Sequence, residues 1–113
     1  MRKIEISFEC KEYFERQNSR VEKKFYQLVE VLVTIKVVPQ KVAKKLIGTE
    51  FYELRIKAGN EYRVILFTYS QQNLIESQSI ILLHAFLKKS KKDYAKAIKE
   101  SRKILENLTD EEE

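Results

Sequence analysis

Three strand-length segments stand in close succession at residues 51–57, 62–69 and 79–87, separated only by a short turn holding Gly59-Asn60 and by a polar stretch at 70–77. Successive side chains of a strand point to opposite faces, so Tyr52, Leu54 and Ile56 form one face of the first segment and Glu53, Arg55 and Lys57 the other. In the second segment Val64 and Leu66 continue the apolar face, while Arg63, Ile65, Phe67 and Tyr69 share the opposite one. Gly-Asn between two alternating runs is a hairpin signal, because glycine reaches the positive φ that a tight reversal needs. The three segments therefore read as an antiparallel meander, whose apolar face the flanking sequence has to cover.

The flanks supply that cover. Residues 2–8 alternate again, with Ile4, Ile6 and Phe8 on one face, which predicts a first strand. From Cys10 the period lengthens: Tyr13, Phe14, Val21, Phe25, Leu28, Val29 and Leu32 recur at helical spacing, and Asn18-Ser19 offers a break and an N-cap. Two helices, or one interrupted helix, are expected to about Thr34. Residues 40–46 are expected to make a short turn of helix before Gly48. Beyond Lys89, Tyr94, Ile98, Leu105 and Leu108 mark the apolar stripe of a C-terminal helix. The fold class is α+β: an N-terminal strand, two helices, a three-stranded antiparallel meander joining the first strand in one sheet, and a C-terminal helix. Such segregated runs predict helices packed on one sheet face.

At 113 residues the chain is expected to be a single domain over 1–113, closed by an acidic tail at about 106–113. With five acids in that tail, residues 1–105 carry 22 basic against 12 acidic groups, a net +10. Such a body favours a polyanion through phosphate contact and counterion release. One cysteine, Cys10, excludes an internal disulfide and a cysteine metal site. The absence of His/Cys/carboxylate groups at metal-ligand spacing leaves no basis for a metal or other cofactor. No stretch reaches the roughly 20 apolar residues of a membrane span, and the charged start does not suit a signal peptide, so a cytoplasmic protein without membrane partners is expected.

Strand parity gathers the basic groups. Arg63 falls beside Arg55 or Lys57 across the hairpin, and His84 has the parity of Leu82, Phe86 and Lys88. Like charges brought close together cost stability, and an anionic ligand is one reason to keep them. Solubilising residues partly neutralised by Glu53 and Glu61 are the other. His84 suits a hydrogen-bonded core position as well as catalysis, Tyr94 suits a helix core position, and the helix lysines suit a solvated face.

Tyr52-Glu-Leu-Arg55, Tyr62-Arg-Val64 and Leu83-His-Ala-Phe-Leu-Lys-Lys89 follow one another in order, and in this the chain resembles the phage-derived, HigB-like branch of the RelE/ParE toxin superfamily. That branch carries Tyr-Glu-Leu-Arg, Tyr-Arg-Val and Leu-Leu-His-Gly-Phe-X-Lys-Lys; the match covers about residues 45–105. The chain departs from it at Ala85, where the branch usually has Gly, and at Asp93-Tyr94, where it often has Thr-Pro. The resemblance implies a RelE-like fold and the toxin of a type II toxin-antitoxin pair: an mRNA endoribonuclease acting at the ribosome and held inactive by a HigA-like antitoxin. It implies Arg63 as the contact to the scissile phosphate, Lys88 as a basic phosphate ligand, Arg55 and Lys57 as basic groups of the site, and Tyr94 as a base-stacking or proton-transfer residue.

Metal-independent cleavage needs a base for the ribose 2′ proton, cations for the phosphoryl oxygens and help for the leaving oxygen. Arginine's planar fork suits the second role, which assigns Arg63 and Arg55 to the phosphate. The base or acid is then sought among Lys57, His84, Lys88 and Tyr94, of which only His84 titrates near neutrality unperturbed. Lys89, Lys91 and Lys92 are candidate RNA contacts. On this reading Arg63 is a solvated sheet residue whose replacement by Ala leaves the fold intact. Two alternatives keep the fold and change the function: a ParE-like inhibitor of DNA gyrase, and a non-catalytic nucleic-acid-binding module.

Overall fold

A computed structural model of the protein describes residues 2–69 and 78–111, with side chains described to residue 108. The elements run β1 (Lys3–Ile6), α1 (Phe8–Glu15), α2 (Ser19–Thr34), β2 (Ala43–Lys45), β3 (Phe51–Ala58), β4 (Asn60–Thr68), β5 (Ser79–Leu87) and α3 (Asp93–Glu111). They form one five-stranded mixed sheet in the order β1-β5-β4-β3-β2, with β1 parallel to β5 and the other neighbours antiparallel. The expected polar loop at 70–77 lies outside the described residues, as do the last two residues of the acidic tail; residues 106–111 of that tail continue α3. No helix among the described residues is long and apolar enough to cross a membrane.

Local chemistry explains the N-terminal half. Ser7 takes extended backbone, accepts the Cys10 N–H at 3.0 Å and donates its hydroxyl to the Leu83 carbonyl, so it caps α1 and ties it to β5. This cap ends β1 two residues short of the expected strand, and Phe8 opens the helix with 72% of its surface exposed instead of joining Ile4 and Ile6. Asn18 accepts the Val21 N–H at 3.0 Å and starts α2, which makes the Asn18-Ser19 break a true helix boundary. At the far end of α2, the Arg2 guanidinium donates to the carbonyl of Leu32, which the helix terminus leaves open, and to those of Ile35 and Lys36 just beyond it.

Two expectations are corrected. The helical turn expected at 40–46 is shorter than that: Val42 and Ala43 donate to the Pro39 carbonyl, the bonds of one helical turn, and from Ala43 the chain extends as β2, with Ala43 opposite Leu54 and Lys45 opposite Tyr52. The free edge of β3 supplies ladder partners that a single turn of helix would forgo. The helices also occupy both faces rather than one. Phe14, Phe25 and Leu32 of α1 and α2 pack with Leu54, Ile56, Val64, Leu66, Ile80 and Leu82. On the reverse face Phe51, Ile65, Ile81 and Leu83 form a second core with Ala97 and Ile104 of α3. Across β3, β4 and β5 the reverse face is therefore apolar under α3 and charged towards one end, beyond the reach of α3's apolar stripe.

Changing Arg2 to Met keeps most of the side chain's volume and removes its bonds to three terminal carbonyls. The expected loss is about 1.5–3 kcal/mol of unfolding free energy, measured by urea denaturation with an unchanged m-value.

Candidate functional site

The register of β3, β4 and β5 places side chains of the reverse face in rows across the sheet. Arg55 stands directly opposite Arg63, and Arg63 opposite Phe86. One step along, Glu53 stands opposite Ile65, and Ile65 opposite His84. On the other side Lys57 stands opposite Glu61, whose carbonyl accepts the Lys88 N–H at 2.8 Å. Neighbouring strands are about 4.8 Å apart and alternate residues about 6.7 Å, so these rows make one continuous patch.

At its centre lies a buried carboxylate. Glu53 is 3% exposed, and its Oε1 accepts from Arg55 Nε at 2.9 Å and lies 2.8 Å from Arg55 Nη2. Its Oε2 is 3.8 Å from Arg63 Nε and has no hydrogen-bond partner among the described residues. Arg63 is 4% exposed; it donates from Nε to the Tyr94 hydroxyl at 3.2 Å and from Nη1 to the Tyr62 carbonyl at 3.1 Å, while Nη2 lies 3.5 Å from the half-exposed Glu61 carboxylate. The expected solvated face is thus corrected. Arg63 is a buried counter-ion of Glu53 with the half-exposed Glu61 beside it, and cutting it to Ala would strand a buried charge.

Tyr94 closes the patch from above. It sits in the first turn of α3, its ring meets Phe86 edge-on at 5.5 Å, and Lys88 Nζ stands 5.9 Å from its ring centroid. Burial, and next the nearby Glu53 carboxylate, raise the Tyr94 hydroxyl pKa against the pull of Arg63, so this phenol keeps its proton at neutral pH. Asp93 fixes the turn before it, accepting the N–H groups of Lys89 and Ser90 at 2.8 and 2.9 Å. Those bonds depress the Asp93 pKa and order the exposed segment bearing Lys89, Lys91 and Lys92.

Arg55, Arg63, Lys88 and Tyr94 therefore come together, while Lys57 is exposed at the margin. His84 is displaced from its expected setting. A bulge in the β4–β5 ladder inserts Leu83, so His84 follows Phe86 onto the reverse face while Leu82 enters the opposite core. His84 stacks on Phe86 at 6.1 Å and is separated by it from Tyr94. The residue the sequence did not single out is Glu53, whose signal was the carboxylate inside Tyr-Glu-Leu-Arg. Among the described residues no cluster of His, Cys, Asp and Glu could hold a metal ion.

A family model described as phage-derived protein Gp49-like matches residues 12–106. Among solved structures, the free state of a mutant of the Escherichia coli toxin RelE superposes with a TM-score of 0.57 at 18% identity, covering 87% of this chain and 95% of that one. That likeness gives this chain the RelE fold. No curated protein sequence matches significantly.

Replacing Glu53 with Gln removes the one buried carboxylate between Arg55 and Arg63, leaving Arg63 only the half-exposed Glu61, and should cost about 3 kcal/mol in urea unfolding, whereas Glu53→Leu combined with Arg63→Met should recover most of that loss. His84 gives a second test. Burial lowers its pKa from 6.5, with Lys96 acting in the same sense and Glu100 and Glu9 opposing. The folded state thus holds the neutral ring, the unfolded chain binds more protons as pH falls through 6.5, and stability drops there until the folded pKa is passed. His84→Gln should shrink the difference in thermal midpoint between about pH 7.5 and about pH 5.5.

Proposed function

This chain belongs to the Gp49-like family of phage-derived proteins, and on that premise we propose that it is the toxin of a type II toxin-antitoxin pair that cuts translated mRNA at the ribosome without a metal ion. The observation that carries this reading is the row of Arg55 and Arg63 beneath the Tyr94 hydroxyl, with Lys88 beside it. Two guanidiniums side by side, held in place by one carboxylate, form a rigid fork for phosphoryl oxygens.

In the proposed reaction the ribose 2′-oxygen attacks the adjacent phosphorus, forming a 2′,3′-cyclic phosphate and expelling the 5′-oxygen. Arg63, entered on its Glu61 side, and Arg55 stabilise the charge that develops on the phosphoryl oxygens. Tyr94, which retains its proton, donates it to the departing 5′-oxygen. Lys57 and Lys88, at the two ends of the next row, are the candidate acceptors of the 2′ proton, whereas His84 lies behind Phe86, away from Tyr94. Lys89, Lys91 and Lys92 hold the flanking RNA backbone. A HigA-like antitoxin covers this basic surface in the resting complex and is expected to present acidic groups to it.

Wild type and an Arg63→Gln variant expressed from an inducible promoter test the reading through maps of mRNA 5′ ends taken within minutes. Gln retains hydrogen-bonding capacity beside Glu53, and a thermal melt of the purified variant checks that it folds. Wild type is expected to create new 5′-hydroxyl ends at in-frame positions, and the variant to lose at least about a hundredfold in cutting. Intact mRNA with arrested growth would move the assignment to a gyrase-type target. Undiminished cutting by folded Arg63→Gln would remove Arg63 from the reaction.

A further inference from the structure

β1 stops pairing with β5 at Ile6 opposite Leu82, yet β5 runs on to Leu87. Beyond that point α1 and α3 flank the strand and leave a cavity of about 480 Å³, lined by Tyr13, His84, Phe86, Lys89, Asp93 and Lys96 together with three small or aliphatic residues. A second hollow of about 240 Å³ shares Tyr13, His84 and Ala85 with it and is otherwise acidic, lined by Glu9, Glu12 and Glu100 beside Arg16. The larger volume falls within the roughly 300–1,000 Å³ of small-ligand sites.

We propose that this cavity receives the nucleobase next to the phosphate held by Arg63, and that Tyr13 and His84 read its edge. The inference rests on the RNA-cleaving reading and adds a specificity determinant to it. Phe86 is the wall shared by both sites: its ring meets Tyr94 on the phosphate side and stacks on His84, at an interplanar angle of 17°, on the cavity side. A nucleotide whose phosphate lies on the arginine row therefore has the cavity next to it. The half-buried Tyr13 hydroxyl and His84 imidazole make no hydrogen bond to the described residues and line both hollows, where they are open to solvent. Polar groups so placed are free to pair with a ligand that offers both donors and acceptors.

The lining chemistry favours a base over a peptide. Tyr13, His84 and Phe86 offer flat aromatic surface, on which every base can stack. Lys89 and Lys96 at the same cavity supply cations for the neighbouring phosphate, and the Asp93 carboxylate is already engaged by two backbone N–H groups. Burial keeps the imidazole neutral near pH 7, with one nitrogen donating and the other accepting, which suits base recognition better than proton transfer.

The test compares 5′-end maps from cells expressing wild type, Tyr13→Phe and His84→Gln, scored for the base preference at the nucleotides flanking each cut, together with rescue by the co-expressed antitoxin. Tyr13→Phe removes one hydroxyl and keeps the ring, so it remains informative if His84→Gln folds poorly. The expected result is continued cutting with the preference at one flanking nucleotide weakened about tenfold. An unchanged preference in both variants, with cutting retained, overturns the base site while leaving the RNA reading intact. Unchanged preference with lost antitoxin rescue assigns the cavity to a peptide strand and also overturns it. If wild type cuts no RNA, the cleavage reading itself fails and the base site falls with it.

Discussion

One buried carboxylate sets the terms for the working end of the sheet. Arg55 and Arg63 face each other across an antiparallel pair, an arrangement that repels, and Glu53 one step away offsets both charges from a position almost closed to water. Removing water strengthens each of these attractions and also makes each unpaired group costly. The two guanidiniums are consequently held at fixed positions, with the half-exposed Glu61 carboxylate 3.5 Å from Arg63 Nη2.

The remainder of the fold supports that patch. α3 covers the reverse face with Ala97 and Ile104 against Phe51, Ile65, Ile81 and Leu83, and its first turn brings Tyr94 over Arg63. The apolar stripe of the helix thus sets how far the second core extends and where polar groups begin. On the other face α1 and α2 pack the larger core, and Ser7 couples α1 to β5 at the carbonyl of Leu83, the residue of the bulge. The same cap that starts α1 ends β1, which leaves the last part of β5 flanked by helices and opens the cavity around His84. A short strand, a serine cap and a bulge together place two aromatic walls beside a pair of arginines.

The strands and helices were legible because each repeats a local period. Alternation marked β3, β4 and β5, Asn18 marked the start of α2, and Gly59, at φ 80°, marked the hairpin. β2 escaped because three residues hold too little period to be distinguished from a turn, and only the open edge of β3 makes Ala43 to Lys45 extend. Phe8 continued the alternation of β1, yet the Ser7 cap overrides the pattern. His84 shows the same limit: counting by twos from Leu82 puts both on one face, and one inserted residue at the bulge separates them.

What the sequence determined by itself is the set of elements other than β2, the α+β class and the clustering of Arg55, Arg63 and Lys88 near one end of the meander, because period and parity are properties of neighbouring residues. What only the tertiary structure decided is burial. Whether the face bearing Glu53 and Arg63 meets water or a helix depends on where α3 returns, some thirty residues later in the chain, and that return turns two apparent surface charges into a desolvated pair. Charge is written in the residue, while the dielectric around it is supplied by elements distant in sequence.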